Sequence, residues 1–505
     1  MPQICSRSRP AGESPIEKLP SELLIKILMS VNSLSTVEFS DSISQSLPGT
    51  KACTKSFMEI HTHNLIGDPN AKVPPSPCLL PCLLTSRTLL SLALPVMYRY
   101  VEVSRLSVLE KVLNQITKHP VLGASVRRLG LSNFCRQTNA SPFPENPLLE
   151  ALSRTPLLRE FRVNNSMEHF LDLKVLQKVF YDLPYLETLD LSRCNSSTFV
   201  DGCSALLHQN REITKSIRSL SLEGCSDLPP EFFESLLPQL PSLQYLDVSN
   251  TQITCAALSS ISMTAKLIHL NINHCYDIEG NELAEFLANH SSTRGLVYLS
   301  MEMSAETEQH TLGEEEISKL LSSLPSTLRI LNLKNSAMTS ADVPLLRGLL
   351  VQLEELSVGA PLRWRDIEKL VFDFGSSENE ELQLERPEDD EAVEVDSKYQ
   401  TVLSPMEDAI AVCKLRQRIN SYPEASPSKL ASQLKYLDIS SLPHAEQGKI
   451  RTSILLGPQS MPLEVIEISE KVLKRWEVLP KLCAAVGWEL KSVGRRCWMR
   501  RKGLR

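Results

Sequence analysis

The chain has 505 residues, 42% of them hydrophobic and 22% charged, with a formal net charge of -7 and 13 cysteines. That much apolar material closes a large core or several, and the mild acidity argues against a body built to hold nucleic acid. No two of the 18 glycines stand two residues apart, so GxGxxG is excluded; GxxxxGK(S/T), HExxH, GxSxG and paired CxxC are missing too, which removes the common sequence marks of nucleotide, zinc-hydrolase, serine-esterase and zinc-ribbon chemistry.

Residues 1–14 carry no apolar core of signal-peptide type and are expected to be disordered, and the chain is expected in the cytoplasm and/or the nucleus. From Leu19 the sequence reads Leu-Pro-Ser-Glu-Leu-Leu-Ile-Lys-Ile-Leu. Pro20 suits a first helical turn, and Leu23, Leu24, Ile27, Leu28 and Val31 fall on one face of the helix it starts. A second apolar run follows at Cys82 to Arg99, containing Leu84, Ser86 and Arg87, then Leu-Ala-Leu-Pro-Val-Met-Tyr-Arg. Arg87 at its centre, with Pro81 and Pro95, argues against a membrane span. Between the runs, residues 32–76 are rich in Ser, Thr and Pro and read as a looped-out insertion. The pair His61 and His63 inside it has no further ligands in view, and no metal is expected.

The two runs together resemble the F-box, whose pattern begins Leu-Pro-x-Glu-Leu-Leu and closes on a Ser-Arg…Leu-Ala-x-Pro-x-x-Tyr-Arg stretch. The usual Val before Ser-Arg is Thr85 here, and the insertion is far longer than a compact three-helix module contains. The resemblance implies an F-box-like helical module over 15–105. It also implies a Skp adaptor bound through Leu19, Pro20, Leu23, Leu24, Ile27, Leu28, Leu84, Ser86 and Arg87, and a cullin scaffold beyond it.

Behind this module one frame recurs: Leu186, Leu189, Leu191 and Cys194 in L-x-x-L-x-L-x-x-C spacing. It fits Val126, Leu158, Leu186, Ile217, Leu243, Leu267, Leu296, Leu328, Leu353, Leu434 and Leu463 as first positions, eleven in all, most steps being 24 to 32 residues. This is the signature of leucine-rich repeats, each with room for a strand and an outer helix. Glu231–Leu240 and Glu282–Asn289 carry suitable helical spacing, and Pro156, Pro184, Pro241 and Pro325 would end helices before strands. Cys194, Cys225 and Cys275 read as reduced core thiols. The expected fold class is α/β: a horseshoe solenoid with helices on the convex face, preceded by the all-helical module. Its repeats run over 120–375 and resume, with last helices, over 401–475.

Positions 3, 5 and 7 of each frame should point outward from the inner strand surface. Acids stand there at Glu160, Asp190, Glu223, Asp247, Glu302, Glu355, Asp438 and Glu467, against Arg128, Arg162 and Lys334. Tyr245, Tyr298 and Tyr436 share the third position, and His269, Asn271 and Asn273 add a polar centre. A protein substrate with a basic segment is the partner such a face favours. The site residues expected for it are Asp190, Glu223, Tyr245, Asp247, His269, Asn271, Tyr298, Glu302, Tyr436 and Asp438. His274 reads as a turn residue.

Residues 376–400 are an acidic run expected to form a disordered loop, with helices flanking it at Pro361–Phe374 and Met406–Asn420. Residues 476–505 read as a helical cap with Trp476, Trp488 and Trp498, then a basic tail containing Lys491, Arg495, Arg496, Arg500, Arg501, Lys502 and Arg505. The whole resembles filamentous-fungal F-box proteins with leucine-rich repeats. That implies the substrate-recognition subunit of a cullin-type (SCF) ubiquitin ligase, with no catalytic site and no cofactor of its own. A repeat scaffold without a ligase role is the alternative. A GTPase regulator resembling the Ran GTPase-activating proteins shares the architecture.

Overall fold

The structure is a computed structural model describing residue 16 and residues 19–31, 79–132, 134, 146–209, 211–304, 313–372, 405–421, 432–475, 478–493 and 496–503. The expected disordered start, the 32–76 insertion with His61 and His63, the acidic run 376–400 and Trp476 lie outside the described residues. The chain divides into two compact units, the division falling after Leu220. No helix among the described residues is long and apolar enough to cross a membrane.

The first unit opens with three helices, α1 (21–31), α2 (Leu80–Thr85) and α3 (Arg87–Met97). Pro20 precedes α1, and Pro81 stands in the first turn of α2, where a missing N–H costs nothing. Strands β1 (Tyr100–Glu102), β2 (Arg128–Leu131), β3 (Glu160–Val163) and β4 (Thr188–Asp190) follow, each parallel to the last, with Val101, Leu129, Phe161 and Leu189 in one register. The strand β5 (Ser219–Ser221) begins in the first unit.

In the second unit β6 (Tyr245–Asp247), β7 (His269–Asn271), β8 (Tyr298–Ser300), β9 (Ile330–Asn332), β10 (Glu355–Gly359), β11 (Tyr436–Ser441) and β12 (Val465–Ser469) pair in order and in parallel. The expected helices appear at Pro230–Leu236, Gly280–Asn289, Trp364–Val371 and Pro405–Ser421.

Every one of the eleven frames carries a strand. The leucine positions are the reason: Leu186, Leu189 and Leu191 are buried, as are Leu243, Leu246 and Val248, and Leu353, Leu356 and Val358. Each such side chain contributes about 1.5–3 kcal/mol when taken from water. Strand β1 is a twelfth, on the same spacing from Tyr98, Val101 and Val103.

The turn leaving the strand repeats as well. Frame position 8 has positive φ at Arg193, Gly224, Asn250, His274 and Asn335, a region costly for most side chains. His274 is thus a turn residue, as its place in the frame predicts. Position 9 then turns inward: Cys194, Cys225 and Cys275 are buried thiols. Cys275 Sγ lies 3.1 Å from the Val248 carbonyl, and burial pushes its pKa up to about 12.

The C-terminal stretch departs from expectation. A helix at Leu479–Ala485 is followed by a β-hairpin, β13 (Trp488–Val493) and β14 (Arg496–Arg501), with β14 antiparallel to β12. Arg496, Arg500 and Arg501 belong to a strand where a basic tail was expected. Trp488 and Trp498 are fully buried, so the hairpin covers the edge of β12 that parallel stacking leaves open.

Candidate functional site

Two regions hold the side chains singled out by sequence. In the first, helices α1, α2 and α3 close on a core of Leu28, Leu79, Ala93 and Val96, with Ile25, Met29, Cys82, Leu83 and Leu92 packed at its margin. Segments on either side of residues 32–76 therefore meet in one cluster.

The apolar stripe of α1 is split by this packing. Leu24 and Leu28 are 2% and 4% exposed and face inward. Leu23 and Ile27, one residue round the helix, are 46% and 42% exposed. Leu19 and Pro20 are exposed, and Leu84 at the end of α2 is 90% exposed. Ser86 caps α3, its Oγ accepting the Leu89 N–H at 3.1 Å, and Arg87 beside it is exposed. Of the nine residues expected to meet an adaptor, Leu24 and Leu28 instead face the core, and half-buried Ser86 caps a helix. A one-residue rotation about a helix decides which leucines see solvent.

The second region is the strand face. In the first unit, Arg128 holds Glu160 with Nε at 2.6 Å and Nη2 at 3.2 Å, and Arg162 stands 3.6 Å from the same carboxylate. Glu102 lies over Gly130, where a Cβ would come within 2.0 Å of its carboxylate oxygen. Burial raises the Glu102 pKa against the opposing pull of Arg128 and Arg162.

In the second unit the face is more deeply buried. Asp247, His269, Asn271, Tyr298, Tyr436 and Asp438, all expected to meet a partner, are 1–6% exposed. Asp247, Asn271, Tyr436 and Asp438 use their polar atoms within the sheet. Asp247 accepts the Ser249 N–H at 3.1 Å, the Ser249 hydroxyl at 2.7 Å and the Asn271 amide at 2.9 Å. Burial pushes its pKa up to about 6, with the charge of Glu223 adding to the rise. His269 stacks on Tyr298 at 3.9 Å between centroids.

Asp438 accepts from Ser440 and pairs with Lys334 at 2.6 Å. Burial would raise the Asp438 pKa, but Lys334 holds it below the usual carboxylate value. Tyr436 donates its hydroxyl to Glu467, while Arg496 Nη2 at 3.0 Å and Trp498 Nε1 at 3.2 Å donate to Tyr436. Arg496 also grips Glu467 at 2.8 and 2.5 Å. Burial and the Glu467 charge raise the Tyr436 pKa well above 10.

Asp190, Glu223, Tyr245 and Glu302 remain half-buried and reachable. Glu302 accepts from the Asn332 amide at 3.1 Å, and Asp190 from Ser192 N–H and hydroxyl at 3.1 and 2.5 Å. Three of these acids share a local turn, which does not by itself bury them, since Asp190 stays half-buried. Asp190-x-Ser192, Asp247-x-Ser249 and Asp438-x-Ser440 all form the same turn, in which the position-5 carboxylate takes the N–H two residues on. Those acids close the strand exit. Arg496 and Trp498, which complete the Tyr436 cluster, were missed because the basic run around them masks their strand alternation.

Among the described residues no group of three His, Cys, Asp or Glu side chains is arranged to hold a metal ion.

No family model matches the chain. Over 190 residues, 33% of its length, it is 27% identical to F-box protein YLR352W of Saccharomyces cerevisiae, of which the match spans 24%. Among solved structures it is similar to one described as the crystal structure of the Rad7 and Elc1 complex in yeast. The identity there is 18%, over 50% of this chain and 69% of that one, with a TM-score of 0.35. Over a third of its length, then, this mixed α/β chain with a long parallel sheet is similar to a yeast F-box protein.

Proposed function

We propose that the chain is the substrate-recognition subunit of a cullin-type (SCF) ubiquitin ligase, its helical module docking on the Skp adaptor and its leucine-rich-repeat horseshoe receiving a protein substrate. The observation that carries this reading is the solvent-facing set Leu19, Leu23, Ile27 and Leu84 on a cluster whose core is already closed without them. Large apolar side chains held in water on a packed scaffold mark a surface meant to be covered. The similarity to a yeast F-box protein supports the same assignment.

On this reading Leu24 and Leu28 shape the module, and Leu19, Pro20, Leu23, Ile27, Leu84 and Arg87 meet the adaptor. Asp190, Glu223, Tyr245 and Glu302 are the substrate contacts that remain accessible. The chain makes or breaks no bond. It raises the effective concentration of substrate lysines near the charged enzyme.

The test is co-purification of the full chain with the Skp adaptor, beside Leu23→Ala/Ile27→Ala/Leu84→Ala. These three positions are exposed, so the variant keeps its melting curve. Losing three covered side chains weakens binding at least about 100-fold. Absence of binding by the wild-type chain would replace this reading with a repeat scaffold that has no ligase role.

A further inference from the structure

The residue just before each strand forms a row of its own. Its carbonyl accepts the N–H of the residue at the same place on the next rung: Arg127 to Arg99 at 2.9 Å, Arg159 to Arg127 at 2.7 Å, Glu187 to Arg159 at 2.8 Å and Arg218 to Glu187 at 2.8 Å. Residues in lateral register on a parallel sheet project to the same side, about 4.8 Å apart. The first unit therefore carries Arg99, Arg127, Arg159, Glu187 and Arg218 in one line about 19 Å long.

The same row in the second unit shows what the position normally does. There it reads Gln244, Ile268, Val297, Arg329, Glu354, Lys435 and Glu464, each N–H from Ile268 onward again bonded to the preceding carbonyl, with Arg501 at the end of the antiparallel β14 in the last place. The first three are uncharged, the signs of the rest alternate, and the charges serve the fold. Lys435 pairs with Glu354 at 3.3 Å, and Arg501 donates to the Gly457 carbonyl and the Ser460 hydroxyl.

In the first unit three arginines are consecutive. Arg127 directs Nη1 at the Ala124 and Val126 carbonyls, at 2.7 and 3.1 Å, and Arg99 directs Nη1 at the Met29 sulfur at 3.7 Å. Burial lowers the Arg127 pKa, and the charges of Arg99 and Arg159 lower it further. Arg159 and Arg218 are exposed, and the row's one carboxylate, Glu187, bridges to Arg159 at 3.1 Å. Like charges on neighbouring rungs repel, and nothing in the repeat's geometry demands them, since the second unit fills the same places with uncharged residues and then with alternating signs.

We infer that this arginine row is a docking surface for an extended, carboxylate-rich segment of a protein partner. Charge complementarity selects the anion. The row's shape selects an extended chain: about six residues span 19 Å, and those facing the row recur about every 6.7 Å, placing three carboxylates against four guanidiniums. A single line of charge suits a strand better than a bilayer, and the net charge of -7 repels a long nucleic acid. This surface does not depend on adaptor docking.

The test is fluorescence anisotropy of the full chain with a labelled peptide of about twelve residues alternating Glu and Ser, at about 50 and about 300 mM salt. Binding should weaken with salt. Arg159→Gln/Arg218→Gln should weaken it at least about 10-fold. The same charge loss at exposed positions off the row, Lys174→Gln/Lys266→Gln, should cost less than about 2-fold, and Glu187→Gln should tighten binding about 2-fold or more. Failure of the peptide to bind would overturn the inference. So would equal losses in the two double variants, or tighter binding of a short single-stranded oligonucleotide than of the peptide.

Discussion

The two units place charge on the same repeating backbone and use it in opposite ways. In the second, the carboxylates of Asp438 and Glu467 are buried and are answered within the sheet, the first by Lys334 and the second by Arg496, Tyr436 and Trp498. In the first, Arg128 and Glu160 stay about 31% and 25% exposed, and three arginines run side by side before β1, β2 and β3. A buried charge must be answered by its own protein, because leaving it alone costs several kcal/mol. A half-exposed one can be left for a partner. The second unit's charges thus specify its closure, and the first unit's are available for recognition.

That contrast can be broken most severely at Glu467. Glu467→Ala takes the carboxylate from Arg496 and leaves the buried Tyr436 hydroxyl donor without an acceptor, and should cost about 2–4 kcal/mol. Urea unfolding followed by tryptophan fluorescence measures it cleanly, since all four tryptophans lie beyond residue 220 and report the second unit alone. A loss below about 1 kcal/mol would mean that the hairpin closes by apolar packing without the charge cluster.

Asp247 gives the next effect, through pH. Its folded pKa of about 6 lies above the ordinary 3.8, so the folded state holds the proton more tightly. The group's contribution is fully present below about pH 4 and is lost as pH rises through about 6, a change of about 3 kcal/mol. Melting temperatures from pH 4 to 7 should fall more steeply for the wild-type chain than for Asp247→Asn. Parallel curves would place the titration elsewhere.

The smallest effect is expected in the first unit. Glu160→Gln removes a bidentate partner of Arg128, yet partial exposure limits the loss to about 1 kcal/mol or less. The tryptophan-reported transition should not move. Proteolysis of the first unit, read by fragment mass, would register any larger loosening there.

The sequence by itself determined the strands. A three-leucine frame recurring eleven times fixes which side chains must be buried together, and neighbouring repeats supply the burial, so local spacing sufficed. It also located the turn at His274, because position in the frame fixes the backbone there.

What it did not determine is which polar residues on the strand face remain outside. Tyr245 and Tyr436 share one frame position, yet the first is half-buried and the second is enclosed by Glu467, Arg496 and Trp498. Only the tertiary structure brings those groups together, across 31 to 62 residues of chain. The same holds for α1, where Leu24 packs inward and Leu23 does not because helices α2 and α3, supplied from beyond residue 76, approach one side. Periodicity specifies that a face is apolar. Which part of it is covered depends on partners distant in sequence, and that is decided by packing.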